Sequence, residues 1–478
     1  MAAAAPFVEP GVLPGAAPSR GPLPRTAWAW AMYHGFRDPS NMVINIYVFV
    51  PYFVATVVGD PVDGQAMVAL AATVAGLLVA LTAPLLGSAL DRLGARKPWL
   101  LLVTALEAML IASLWFVFPT GAGLSVAATL VMLVAIGVLF QWGDVLFTAL
   151  LPQAAPPTLI PRTSGVAQAL GNFASVAILV AVLWAFVLPG QASLPGVPAR
   201  PLLGLDPSLH EPERFAGPLI AGVFALGALP LFLLVPDATR RSTSAWSALR
   251  EAPAELWRNL QVIRGHRDGR AFLIARMLYT DGLVTIMVFT GVYTAGVFGW
   301  MALDLLAFGL IASLAAGMGG LAAGRIDQAL GPKRALVAEL ALCIAGATAQ
   351  IGLGPDRLFY LPYRAEPVWA GPIFRTLPEL LYVGIGLFTA AGICAVFASS
   401  RTLLVRLAPP DRLGGYLGLF ALSGQATAWV GPLLVGLTTA AFGSQRAGFA
   451  VILILLVAGL AELRHVTDVD RPTGAGST

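Results

Sequence analysis

The sequence predicts an all-α membrane protein of twelve transmembrane helices, arranged as two six-helix pseudo-symmetric bundles. Three observations predict it. The 478 residues are 58% hydrophobic and only 11% charged, whereas soluble domains carry roughly 25% charged residues. Apolar stretches near the length of a membrane span, about 20 residues, recur along the chain. A short polar connection, Gly87-Ser-Ala-Leu-Asp91-Arg92-Leu-Gly94-Ala-Arg96-Lys97, returns in the second half as Gly324-Arg-Ile-Asp327-Gln-Ala-Leu-Gly331-Pro-Lys333-Arg334. Its Asp is displaced by one position. Such a repeat expects a ligand site between the halves, near the midplane.

Taken in order, residues 1–26 are rich in Ala, Pro and Gly and read as a disordered cytoplasmic tail. Residues 27–236 form the N-terminal bundle, with spans at 27–53, 65–90, 98–118, 124–150, 164–188 and 216–235. The fifth and sixth are joined by a Pro-rich segment. Residues 237–270 form a cytoplasmic linker whose 245–263 stretch can make a short surface helix. Residues 271–463 form the C-terminal bundle, with spans at 271–298, 302–323, 335–353, 377–399, 415–440 and 448–461. Residues 464–478 are a second cytoplasmic tail.

Charge sets the orientation. With both termini inside, the exterior loops hold only Arg200, Arg214, Arg357, Arg364, Arg375 and Arg446, and the spans hold Arg37 and Arg276. The remainder of the 29 Lys and Arg fall on the cytoplasmic side, as the positive-inside rule requires. The net charge of +4 and the isoelectric point near 9.3 follow from those loops and imply no nucleic-acid partner. The two cysteines, Cys343 and Cys394, sit in apolar runs and read as buried free thiols. No phosphate-binding loop, zinc-protease helix or nucleophile-elbow motif is present, so ATP-driven or hydrolytic chemistry is not expected. Four scattered histidines make no metal site, and no cofactor is expected.

Charges inside spans are costly and mark pathways. The first span holds His34-Gly-Phe-Arg37-Asp38-Pro39-Ser40-Asn41 and the seventh holds Tyr279-Thr-Asp281-Gly282. Arg37, Asp38 and Asp281 each lie about ten residues, or roughly 15 Å, from the start of their span. Equal depth in repeat-related helices would let Arg37 meet Asp281 across a central cavity, as a substrate or proton site or as a static ion pair. Gln141 and Asp144 form a second polar spot in the fourth span. Glu107 and Glu339 are single acids suited to packing or interhelix bonding. Arg276 can snorkel to the interface. His34 is a minor proton-carrier candidate. Ser423, Gln425 and Thr427 in the eleventh span fit either a packing helix with polar side chains or a pathway lining.

Two tiers of resemblance follow from these residues. The 87–97 connection resembles the loop signature of the major facilitator superfamily, between its second and third helices. Trp30-Ala-Met-Tyr33 with Pro51-Tyr52-Phe53, Tyr279 to Ile286, Ser400 to Pro409 and Gly418 to Pro432 look like the vacuole-effluxer-like branch of that superfamily. That resemblance implies a twelve-helix transporter, an effluxer of small solutes such as amino acids. One position departs from the branch. Its first span usually reads Tyr-Asp-x-x-Asn, and here the Asp position is His34 and the Asn position is Arg37. A cation where an amide is common points toward an anionic or zwitterionic solute.

The expectation is therefore a monomeric, proton-coupled secondary transporter and not an enzyme, embedded in the bilayer and working by alternating access. Arg37, Asp38, Asn41, Gln141, Asp144, Tyr279 and Asp281 are its candidate pathway. Gly87, Asp91, Arg92, Gly94, Arg96, Lys97, Asp327, Gly331, Lys333 and Arg334 are its candidate cytoplasmic gate, making and breaking contacts across the halves. A proton-coupled sugar or nucleoside symporter and a non-transporting membrane assembly factor are the alternatives. The Ala- and Arg-rich, Lys-poor composition without a cleaved signal points to a bacterial inner membrane.

Overall fold

The computed structural model describes residues 21–59, 61–119, 123–189, 197–237, 245–300, 302–364, 366–371, 373–408, 413–425, 427 and 429–467. The expected tail at 1–20 and the last residues from 468 lie outside the described residues, as do the side chains of Asp91 and Gln425.

The N-terminal half runs α1 (Arg25–Arg37), α2 (Pro61–Leu93), α3 (Lys97–Ser113), α4 (Val126–Ala149), α5 (Ile160–Val182) and α6 (Glu211–Leu234). The surface helix expected in the linker is α7 (Ala245–Gly265). The second half runs α8 (Arg267–Phe298), α9 (Ala302–Leu330), α10 (Pro332–Ile351), α11 (Leu377–Leu407), α12 (Leu413–Gln425), α13 (Val430–Phe442), α14 (Gln445–Ala450) and α15 (Ile452–Leu463). A two-stranded hairpin, β1 (Arg357–Leu358) and β2 (Leu361–Pro362), sits in the connection before α11. Among the described residues, eleven helical stretches are long and apolar enough to cross a membrane. The eleventh span, expected as one helix over 415–440, is built instead from α12 and α13, which completes the twelve.

Local chemistry explains the boundaries. Gly94 and Gly331, at matching places in the two copies of the repeated connection, have φ of 75° and 80°. A side chain resists that conformation, so glycine ends α2 and α9 there. Pro332 follows at the first turn of α10, where its missing N–H costs nothing. Ser125 caps α4 by accepting from the Ala128 N–H at 3.2 Å. Thr376 and Glu379 form a capping box at α11. Past Pro39 the first span widens into a π-helical stretch, Asn41–Tyr47. Proline lacks the N–H that would continue the ladder, and the Ser40 hydroxyl donates to the Arg37 carbonyl at 2.7 Å.

Within the first half, α1 packs on α5 and α6, and α2 and α3 pack on α4. Within the second, α8 packs on α15, and α9 and α10 pack on α11. The halves meet where α5 packs on α9 and α11 and where α2 packs on α12. Glycines permit that approach. A Cβ on Gly165 would come within 3.0 Å of the Gly324 nitrogen, and one on Gly418 within 2.7 Å of the Ala83 carbonyl. Polar bonds cross the same seam. The Ser164 hydroxyl donates to the Ala398 carbonyl at 3.2 Å, Gln328 Nε2 to the Thr158 carbonyl at 3.2 Å, and Asn172 Nδ2 to Cys394 Sγ at 3.4 Å.

Candidate functional site

The first span places its polar residues by helical spacing. Trp30, Tyr33, His34 and Arg37 are all buried. The Trp30 ring stacks on Phe147 with centroids 4.0 Å apart, and the Tyr33 hydroxyl shares a hydrogen bond with Thr104 Oγ1 at 2.8 Å. These anchors fix the depth and rotation of α1 against α3 and α4. Arg37 then projects between them with no exposed surface. Its Nη2 donates to the Phe140 carbonyl, its guanidinium lies 3.8 Å over the Phe140 ring, and its Nε stands 3.8 Å from Glu107. Nη1 stands 3.9 Å from Asp144. Gly143 allows this, since a Cβ there would press to 3.3 Å of the guanidinium. One turn away, His34 Nε2 is 3.3 Å from Asp38. The guanidinium of Arg401, on α11 of the other half, lies 6.0 Å over the Trp30 ring.

Two confluent cavities of about 220 and 330 Å³ border this cluster. Asn41, Asn45, Gly137 and Gln141 line both. Asn45 Nδ2 donates to Asn41 Oδ1 at 3.0 Å. The carboxylates of Asp144 and Asp38 keep 33% and 22% of their side-chain surface, whereas Glu107 keeps none. The polar groups of the cavity walls are Ser40 and the amides of Asn41, Asn45 and Gln141, among mainly apolar side chains, and neither Asp144 nor Asp38 lines them. The buried Arg37 is countered by Glu107 and Asp144, and a second buried cation, Arg401, lies over Trp30.

Several expected arrangements take a different form. Arg37 does not bond Asp281. Its charge is met by Glu107 and Asp144, inside its own bundle, because an ion that deep requires nearby countercharge. Asp281 accepts from the Gly431 N–H at 3.1 Å, at the start of α13. Tyr279 is fully buried and shares a hydrogen bond with Ser400 Oγ at 2.7 Å, tying α8 to α11 rather than facing a pathway. Arg276 does not snorkel. It turns inward, donating to the Phe420 carbonyl and, at 2.8 Å, to Ser423 Oγ. Glu107 and Glu339 do make interhelix contacts, Glu339 by accepting from Ser399 at 3.0 Å.

The gate residues also bond differently. Arg96 donates to the Ala149 carbonyl, and the N–H groups of Arg96 and Lys97 donate to Asp237 at 2.9 and 3.2 Å. Lys97 Nζ donates to the Phe232 and Val235 carbonyls at 2.7 Å each. Lys333 donates to the Val466 carbonyl. Helix C-termini leave carbonyls without partners, and these cations fill that need within one bundle. Arg92 pairs with Glu251 of α7 at 2.5 Å and stands 3.9 Å from Glu255. It therefore holds the linker helix and not the opposite half. Gly87 and Asp327 are buried in α2 and α9. Contact across the halves is made instead by close packing at Gly165, Gly320, Gly324 and Gly418 and by the Ser164, Gln328 and Asn172 bonds.

Sequence reasoning passed over Asn45 and Arg401 as site residues. Asn45 carried a legible signal, since it sits four residues after Asn41 and so on the same helix face. Arg401 reads as an ordinary charge near the end of its span, and only the packing of α11 against the first half brings it to Trp30.

Residues 50–352 and 379–475 match the family described as vacuole effluxer Atg22 like. Autophagy-related protein 22 of Cryptococcus neoformans is 24% identical over 321 residues, which is 64% of this chain and 52% of that protein. The chain thus spans about half the length of the curated relatives it matches. The human organic anion transporter MFSD10 (TETRAN) shares the fold with a TM-score of 0.65 at 18% identity, covering 92% of this chain and 99% of that one. The proton:xylose symporter XylE does so with a TM-score of 0.67 at 11% identity, covering 93% and 96%.

Proposed function

This chain belongs to the vacuole effluxer family, and from that premise we propose that it is a secondary active transporter for a small polar solute. Its two bundles rock over a site beside α1 and α4, and the motion is coupled to protons. The observation that carries the reading is the pair of cavities sharing the amides of Asn41, Asn45 and Gln141 in an otherwise mainly apolar wall, separated by Phe140 from the buried Arg37–Glu107–Asp144 cluster. Ionisable groups held inside membrane spans are costly and mark a functional site by default. The close glycine packing of α5 on α9 supports halves that can slide and rock against each other.

The balance of charge refines the solute. Arg37 is already met by two carboxylates, so it offers little to a bare anion. The partly exposed acids at Asp144 and Asp38 suit an ammonium, and the amides of Asn41, Asn45 and Gln141 suit a carboxylate or hydroxyl. A zwitterion such as an amino acid fits both. The amide lining by itself also favours a second reading, a sugar or nucleoside. The protein works as a monomer in this proposal. The expectation of a bacterial inner membrane rests on composition alone, and the fungal relative lends it no support.

A thermal-shift screen of the detergent-purified protein against amino acids, organic acids, sugars and nucleosides tests the reading. Zwitterions should stabilise the wild type and lose the effect in Asp144→Asn. Sugars that stabilise both equally would replace the zwitterion by the second reading. Stabilisation by no solute, together with a co-purifying protein partner, would favour the assembly factor.

A further inference from the structure

We infer that Asp281 is a proton-loading site at the discontinuity of the eleventh span, and that its charge state sets how firmly that discontinuity is held. The inference deepens the proton-coupled reading above, and it rests on a different part of the molecule. α12 ends at Gln425 and α13 begins at Val430. Side chains of α8 reach both sides. On one side Arg276 binds the Phe420 carbonyl and Ser423, with its guanidinium 3.4 Å over the Phe420 ring. On the other side Asp281 Oδ2 accepts from the Gly431 N–H, in the first turn of α13. Between them the Thr427 hydroxyl donates to the Met277 carbonyl at 3.2 Å.

The signs match the helix ends. A cation stands on the C-terminal half of α12, the negative end of its dipole, and an anion stands at the N-terminus of α13, where N–H groups lack partners. The two charges differ in one respect. A guanidinium stays charged, whereas a carboxylate can be neutralised. Asp281 is only 3% exposed, and its Oδ1 has no hydrogen-bond donor. A buried carboxylate with one oxygen unfilled is costly. A proton on Oδ1 removes the buried charge, the larger part of that cost, and leaves Oδ2 to accept from Gly431. A metal ion fits poorly. The nearby hydroxyl of Thr285 already donates to the Asp281 carbonyl at 2.7 Å, a divalent ion takes several oxygens, and no group of three or more His, Cys, Asp or Glu able to hold a metal occurs among the described residues. The backbone closes tightly there, since a Cβ on Gly431 would stand 3.0 Å from Oδ1 and collide with Thr285.

The other ionisable groups on the elements around α8 are engaged elsewhere. Tyr279 is on Ser400, Arg401 over Trp30, Arg446 on Asp356, and Glu462 beside His465. Tyr416 of α12 lies near Gly269, at the far end of α8, and α13 contains no ionisable residue. Among the described residues, none of these bonds Asp281. The proton therefore acts on one cap of one helix. Loaded, it weakens the charge at the start of α13. Unloaded, the ion clamps α13 to α8.

The test needs no solute, so it fails separately from the transport reading. Infrared difference spectra of the purified full chain are recorded across a pH titration, for wild type and Asp281→Asn. Trp429, immediately before α13 and 63% exposed, reports the break by fluorescence, isolated by subtracting Trp429→Phe. The wild type should show a protonated carboxylic acid band and a one-proton Trp429 transition with a shared midpoint. Asp281→Asn should lose both, and Asp281→Glu should restore both at a shifted midpoint. Persistence of either signal in folded Asp281→Asn overturns the assignment. If that variant does not fold, Gly431→Ala decides, because crowding Oδ1 must move the midpoint. An unmoved midpoint overturns the assignment.

Discussion

Replacing Arg37 with Met isolates the buried charge cluster. The guanidinium stands 3.8 Å from Glu107 and 3.9 Å from Asp144. At an effective dielectric of about 20, each pair is attracted by about 4 kcal/mol. Neither distance is that of a hydrogen bond, so Coulomb attraction carries the pairing. The desolvation of the ions offsets much of that gain. The single variant does not return that cost. It strands Glu107, whose two oxygens have no hydrogen-bond partner and no surface. Breaking a buried pair in this way costs about 3–5 kcal/mol. Adding Glu107→Leu removes the stranded charge, and Asp144 then hydrates through its exposed third. The double variant should recover at least about 2 kcal/mol relative to Arg37→Met. Denaturant unfolding in detergent micelles, read by tryptophan fluorescence as a double-mutant cycle, measures the coupling. An Arg37→Met chain within about 1 kcal/mol of wild type, or a double variant less stable than the single one, would refute the reasoning.

Gly320→Leu should force α5 from α9, because a Cβ there already meets the Ala169 nitrogen at 2.9 Å. Overpacking of about 1–3 kcal/mol should expose the seam and speed labelling of Cys394 by a thiol reagent roughly tenfold, with Cys343 as the control. Arg92→Ala should change global stability by less than about 1 kcal/mol, as expected of a surface ion pair, yet hasten tryptic cleavage within α7. Equal cleavage rates would disprove the role of Arg92 as holder of the linker. Asp356, outside the spans, is held down to about 2 by its bond to Arg357 and then by Arg446. Its folded value lies below the ordinary 3.8 of the unfolded chain, so its contribution is present above about pH 4 and fades as pH falls toward 2. Amide exchange in 357–362 should quicken over that window, and Asp356→Asn should erase the difference.

The membrane class was legible because it depends on sums. Few charges, long apolar stretches and glycines placed at the two repeated connections need no knowledge of neighbours. So Gly94 and Gly331 were readable as turns, and α7 as a surface helix. Asn41 and Gln141 were readable as polar groups too deep for comfort, and they line the same two cavities, whereas Asp144 is paired with Arg37. Partners were not legible, because a side chain's partner depends on the rotation of helices far apart in sequence. Arg37 was matched to Asp281 by equal depth, yet the rotation of α1 turns it to Glu107 and Asp144. The repeated basic residues suggested a gate, but helix ends in the same bundle present unfilled carbonyls closer at hand. The eleventh span looked continuous because apolar composition does not record a break. Its two halves are separated where Arg276 and Asp281 of a neighbouring helix meet opposite ends of their dipoles. Composition and local chemistry determined which segments cross the membrane and where they turn. Only the packing of those segments decided which charge meets which.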